Sequence, residues 1–132
     1  MQSMSENELM LDERLLLEAA REAWKKAYAP YSKFLVGAAI LDDQGKLHMG
    51  CNVENAAYPQ GTCAEAGAIA AMILAEGKQI KAIAVVGESP DPVTPCGGCR
   101  QKIREFAGST TPILIGDLKQ LRLRLTLAEL LP

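Results

Sequence analysis

Between residues 12 and 28, apolar positions fall at Leu15, Leu16, Ala19, Ala20, Ala23, Trp24 and Ala27. That spacing predicts an amphipathic helix, and Pro30 ends it. Phe34 to Leu41 reads as a buried strand, "DDQG" at 42–45 as a turn, and Lys46 to Asn52 as a second strand of a hairpin. After a loop holding Pro59 and Gly61, Thr62 is placed to cap a second helix running to Glu76, with Gly77 just past its end. Ile80 to Val86 predicts a third strand. The Pro-rich stretch "GESPDPVTP" leads into a third helix over 97–107, closed by Gly108. Pro112 to Ile115 predicts a fourth strand, and the alternating "LRLRL" at 121–125 a fifth. Thr126 with Glu129 has the form of a capping box for a short last helix.

Strands that alternate with helices imply crossovers and parallel pairing, while the hairpin adds an antiparallel pair. The expected fold class is α/β, with helices on both faces of a five-stranded mixed sheet in three layers. No repeat or linker divides the 132 residues, so a single domain over 1–132 is expected, with 1–11 as a flexible N-terminus.

Composition narrows the function classes. Hydrophobic residues make up 48% and charged residues 23%, with a net charge of -2. No basic face suggests nucleic acid as a partner. No apolar run approaches the ~20 residues that span a bilayer, so no membrane association is expected. The start, MQSMSENELML, lacks the pattern of a signal peptide, and a cytoplasmic location is expected.

Four cysteines, at 51, 63, 96 and 99, change the picture. In a reducing compartment they point to metal or catalysis rather than disulfides. "PCGGC" at 95–99 puts a C-x-x-C pair where a loop enters a helix, and Cys63 opens another helix 33 residues earlier. Helices on one face of a parallel sheet start at the same edge, so Cys63, Cys96 and Cys99 can meet at two adjacent helix N-termini. Three thiolates are the ligand count of a catalytic zinc site that keeps one position for water. His48 and Cys51 are the residues that could instead close the site as a fourth ligand. Both lie on the hairpin without metal-type spacing, and His48 is expected on the strand surface. Glu65, two residues past Cys63, can lie beside the metal's water and carry protons. Taken alone, it also suits the first turn of any helix.

C-A-E at 63–65 and P-C-G-G-C at 95–99 form the three-cysteine version of the zinc deaminase signature. Together with "YAPYSKFLVGAAI" (28–40) and "CNVENAAYPQGTCAEAGAI" (51–69), in this order and separation, they make the chain resemble the small, homotetrameric cytidine deaminases. The resemblance implies an α/β/α sandwich, a bound Zn²⁺ and a pyrimidine nucleoside as the small-molecule partner. It implies hydrolysis of cytidine and 2′-deoxycytidine to uridine and 2′-deoxyuridine with loss of ammonia, in pyrimidine salvage. Carried over by position, Cys63, Cys96 and Cys99 match the zinc ligands and Glu65 the proton shuttle. Asn52 and Glu54 match the pair that bonds the ribose 3′-hydroxyl. Phe34 matches an aromatic near base and sugar. Ala56 and Tyr58 match positions lining the pocket, and the Ala64 backbone a contact to the pyrimidine.

Two departures stand out. The family usually has Arg after the catalytic Glu, where this chain has Ala66. Arg100 is the candidate to offset thiolate charge in its place. The sequence also ends at "ELLP", where relatives often continue with an aromatic that reaches across a subunit interface, so that contact is not expected here. Three other readings stay open from the residues alone. One is a deaminase of another cytosine compound such as blasticidin S, another a non-catalytic zinc-binding module, and the third a dithiol redox protein using Cys96 and Cys99.

Overall fold

A computed structural model of the chain describes residues 5–132. Five strands, β1 (Val36–Asp42), β2 (Leu47–Cys51), β3 (Ile80–Gly87), β4 (Pro112–Gly116) and β5 (Leu121–Thr126), form one mixed sheet in the order β2-β1-β3-β4-β5. Only β3 and β4 are a parallel neighbouring pair; the other three pairings are antiparallel. The first crossover therefore skips β1 and lands on its far side, so β2 and β3 run parallel with β1 between them.

Helix α1 (Leu11–Trp24) covers one face of the sheet. Helices α2 (Ala64–Leu74), α3 (Gly97–Phe106) and α4 (Leu127–Leu130) cover the other. The expected three-layer sandwich is what forms. Successive strand residues point to opposite faces. Thus Ala38, Ile40, Ile83, Val85, Ile113 and Ile115 pack under α2 and α3, while Ala39, Ala82, Ala84, Val86 and Leu114 pack under α1.

Several local expectations need correction. Cys63, not Thr62, is the N-cap of α2. Thr62 instead pairs its backbone with Val53 on a short antiparallel bridge. The left-handed residue after α2 is Glu76 (φ 69°), not Gly77. Gly77 is needed for space, because a Cβ there would stand 2.6 Å from Asp42 Oδ2. In α1, Leu17 is buried and Leu15 is exposed, so the inward stripe lies one residue on from the expected one. The capping box at Thr126 and Glu129 forms as expected. In the segment expected to be flexible, residues 1–4 lie outside the described residues. From residue 5 on it is docked: Leu9 is buried and Glu6 pairs with Arg21 at 2.8 Å.

His48 is not a surface residue. Its ring is 8% exposed and its Nε2 lies 2.7 Å from Asp42 Oδ2. The even-numbered residues of β2 face α2, and His48 follows that parity. Burial opposes the Asp42 charge. The His48 ring and the Lys46 and Gln44 amides outweigh it and hold the carboxyl below its usual range.

Two glycines set how closely α2 sits on the sheet. A Cβ on Gly50 would lie 2.2 Å from Ala68 N and 2.4 Å from Ala64 O, and Gly67 faces it from the helix. This close approach holds the N-terminal turn of α2 against the edge strand. Gly50→Ala should cost about 2 kcal/mol or more, because backbone cannot yield to the added methyl; thermal melting checks it. A second expectation concerns acid. A carboxyl held low in the fold contributes stability above the unfolded value of ~3.9 and loses it as pH falls through the folded value. Asp42→Asn should therefore be less stable than the parent at pH 7, with the gap narrowing as pH falls below the unfolded value of ~3.9 in chemical unfolding curves.

Candidate active site

The helices α2 and α3 lie side by side on one face and start at the same edge of the sheet. Cys63 is the N-cap of α2 and Cys96 the N-cap of α3, both in extended backbone. Their carbonyls accept the first helical bonds, from Gly67 N–H at 3.2 Å and Arg100 N–H at 2.9 Å. Cys99 lies one turn into α3 and is buried. The three sulfurs lie within 4.8 Å of one another, and no other His, Cys, Asp or Glu joins the group among the described residues. His48 is committed to Asp42, and the Cys51 thiol faces Lys26 O at 3.7 Å. Neither is a fourth ligand.

Glu65, in the first turn of α2, is 5% exposed. Burial pushes its carboxyl above the usual range. Its backbone, the Cys99 thiol and the Lys102 charge act the other way without cancelling the shift. The thiols differ among themselves. Burial pushes Cys99 far up and Cys63 up, whereas the Cys99 amide pulls Cys96 down. Crowded, partly buried thiols lose their protons together only beside a cation. Soft sulfur donors in this number suit zinc, and three is the count of a catalytic rather than a structural site. The residues present therefore fit the metal.

This cluster forms one end of a cavity of about 440 Å³, lined among others by Asn52, Glu54, Tyr58, Ala64, Glu65 and Thr94. Phe34 and Ala56 do not line it. The Phe34 ring instead lies near Gly87. Glu54 is fixed by Tyr31 and Ser32, whose N–H groups donate to Oε1 at 3.0 and 3.1 Å, and the Ser32 hydroxyl donates to Oε2. These bonds keep the Glu54 carboxyl below its usual range. The Asn52 amide bridges two backbone groups: Val36 N–H donates to its Oδ1, and its Nδ2 donates to Phe34 O, both at 2.9 Å. The Val53–Thr62 bridge closes the loop between them and brings Glu54 beside the start of α2.

The comparisons with known proteins agree with this geometry. Residues 10–115 match the family described as "Cytidine and deoxycytidylate deaminase zinc-binding region". The chain belongs to this deaminase family. Among its relatives, the cytidine deaminase of Sporosarcina psychrophila is 42% identical over 122 residues, covering 92% of this chain and 90% of that protein. The cytidine deaminase of Halalkalibacterium halodurans is 39% identical and covers 92% of each. A crystal structure of cytidine deaminase from Burkholderia pseudomallei superposes with a TM-score of 0.83 at 43% identity, covering 89% of this chain and 94% of that one. The family is zinc-binding, and the three-sulfur cluster is able to hold a metal ion.

Arg100, expected to offset thiolate charge, directs its guanidinium elsewhere. Its Nε and Nη1 donate to Pro95 O at 2.7 Å and Leu130 O at 2.9 Å. Sequence reasoning also missed Val93 and Thr94, which line the cavity from the Pro-rich loop. Only their position just before "PCGGC" could have indicated them.

Metal removal gives a direct check. Stripping zinc with a chelator should expose about three further thiols per chain to a chromogenic thiol reagent, beyond Cys51. Cys99→Ser should drop zinc content from about one per chain to a small fraction, read by elemental analysis.

Proposed function

We propose that this chain is a zinc-dependent cytidine deaminase. It hydrolyses the C4–amino bond of cytidine and 2′-deoxycytidine, giving uridine or 2′-deoxyuridine and ammonia. One observation carries the reading: a buried carboxyl, Glu65, lies beside a three-thiol cluster at the end of a nucleoside-sized cavity. The names of the relatives support it.

Cys63, Cys96 and Cys99 would hold the zinc. When bound there, zinc supplies Lewis acidity and a water acidified toward neutral pH. Glu65 takes one proton from the attacking water and delivers it to ring N3 as the water oxygen bonds to C4; it then moves the second proton from that oxygen to the amino group, which departs as ammonia while the C4–N bond breaks. Its raised pKa suits a group that must both accept and return protons near neutrality. The Ala64 backbone borders the ring. Asn52 retains one N–H and Glu54 Oε2 retains a lone pair, so together they can serve both sides of a ribose hydroxyl. A site built this way discriminates against analogues that lack the hydroxyl.

Phe34, matched to an aromatic near base and sugar, keeps that role in this reading. The exposure of Tyr58, 91% on the loop tip, and of Ala56 beside it supports a contact with a neighbouring subunit. The same reading takes the working form as a homotetramer, a single catalytic domain per chain, acting in the cytoplasm in pyrimidine salvage. Exposed Leu47 and Met49 on the edge strand support association. Among the described residues no helix is long and apolar enough to cross a membrane.

The test is incubation of zinc-loaded protein with cytidine, 2′-deoxycytidine, cytosine and blasticidin S, following absorbance and ammonia. Turnover of the two nucleosides is expected. Bound zinc with no turnover on any pyrimidine nucleoside would overturn the reading. Glu65→Gln should keep its zinc and lose turnover by on the order of 10³-fold.

A further inference from the structure

The segment at 88–95 between β3 and α3 has neither helix nor strand and carries Pro90, Pro92 and Pro95. Prolines contribute no N–H, and the segment's carbonyls need donors from elsewhere. Two arginines provide them. Arg122 on β5 donates to Ser89 O at 3.1 Å and to Pro90 O at 2.7 Å. Arg100 on α3 donates to Pro95 O at 2.7 Å and to Leu130 O at 2.9 Å, and its Nη2 lies 3.4 Å from Thr94 Oγ1.

Arg100 thus joins three pieces of chain: the end of the loop, its own helix and the last residues of α4. It does not line the cavity, but Val93, Thr94 and Cys96 do. The turn that follows is weak. Gly97 and Gly98 open α3, and a Cβ at either would meet nothing within 4 Å. Glycine is a poor helix former, and no side chain there braces the turn. Something else must hold Cys96 in place. The planar guanidinium does so with donors in a fixed fork, which a lysine ammonium cannot copy.

We infer that Arg100 is a positioning residue: through Pro95 and Leu130 it fixes Cys96 and the cavity wall at 93–96, so metal and substrate share one arginine-held frame. All three of its acceptors are neutral oxygens, so geometry, rather than charge alone, is what it supplies. The inference rests on the deaminase reading for its link to substrate; its link to metal retention stands without that reading.

The experiment uses the full zinc-loaded chain and its Arg100→Gln, Arg100→Lys and Arg122→Gln variants. Transfer of zinc to a chromogenic chelator is timed at a temperature where circular dichroism shows every variant folded. Both Arg100 variants should release zinc about tenfold faster or more, the usual scale for groups that orient metal ligands. Arg122→Gln frees the start of the loop and the Asp117 carboxylate, neither of which touches Cys96, and should change release by less than about threefold. Release from Arg100→Lys at the parent rate would overturn the inference, because charge would then suffice. So would equal acceleration by Arg122→Gln, or a lowered melting temperature with unchanged release. If Arg100→Gln does not fold, Arg100→Lys against the parent decides. Turnover of cytidine is measured alongside. Its absence in the parent would sink the deaminase reading while the zinc comparison stays readable.

Discussion

Two helix N-termini that meet at one sheet edge are the constraint on which this site depends. Neither helix brings a complete set of ligands. The first supplies Cys63 and Glu65, the second Cys96 and Cys99. They converge because both crossovers return over the same face, so α2 and α3 pack as neighbours above Ile83, Val85 and Ile113. Gly50 and Gly67 let α2 approach the sheet until backbone nearly touches backbone. A larger residue at Gly50 would lift the first turn of α2, and the sulfur of Cys63 with it.

The same convergence carries much of the electrostatics. Three thiolates on one dication leave a net negative charge. Each helix start offers roughly half a positive charge and free N–H groups, concentrated within the first turn. Both N-cap cysteines sit there. Ala66 adds no cation, and the guanidinium of Arg100 is taken up by carbonyls. Lys102, one turn past Cys99, is the cation whose field reaches Glu65. Burial nonetheless dominates at Glu65, leaving its carboxyl proton-hungry although it stands beside a cationic side chain. That balance suits a group that must hold a proton and then release it.

Much of this was legible in the sequence because chemistry-bearing residues are spaced by local geometry. C-x-x-C at a helix start and C-A-E at another fix which atoms share a turn, and apolar runs bounded by turns, with one alternating stretch at 121–125, located every strand. Details that depend on tertiary contacts were not legible. His48 looks like a surface residue on an edge strand, yet strand parity turns it under α2 to meet Asp42. Thr62 is the better capping residue by type, but its backbone is committed to Val53 and the cap passes to Cys63. Gly77 looks like the left-handed terminator of α2. The chain instead turns at Glu76 and keeps glycine where Asp42 leaves no room. Arg100 reads as a charge near thiolates; its acceptors, thirty residues away at Leu130 and in the preceding loop, cannot be read from spacing.

The residues assigned to the sugar show how such a pocket avoids reorganising when it is filled. Glu54 and Asn52 are already bonded before any ligand arrives, Glu54 to Tyr31 and Ser32, Asn52 to Val36 and Phe34. Those bonds use only part of each side chain's capacity. A carboxylate has about four acceptor positions and an amide two donors. The protein partners lock the rotamers, and what remains, a donor on Asn52 and an acceptor on Glu54, has the capacity to serve both sides of a hydroxyl. Ordering a free side chain on binding costs about 0.5–1.5 kcal/mol, and here the fold has already met that cost. The backbone N–H groups of Tyr31 and Ser32, two residues that also line the cavity, thereby hold in place the carboxylate proposed to meet the sugar.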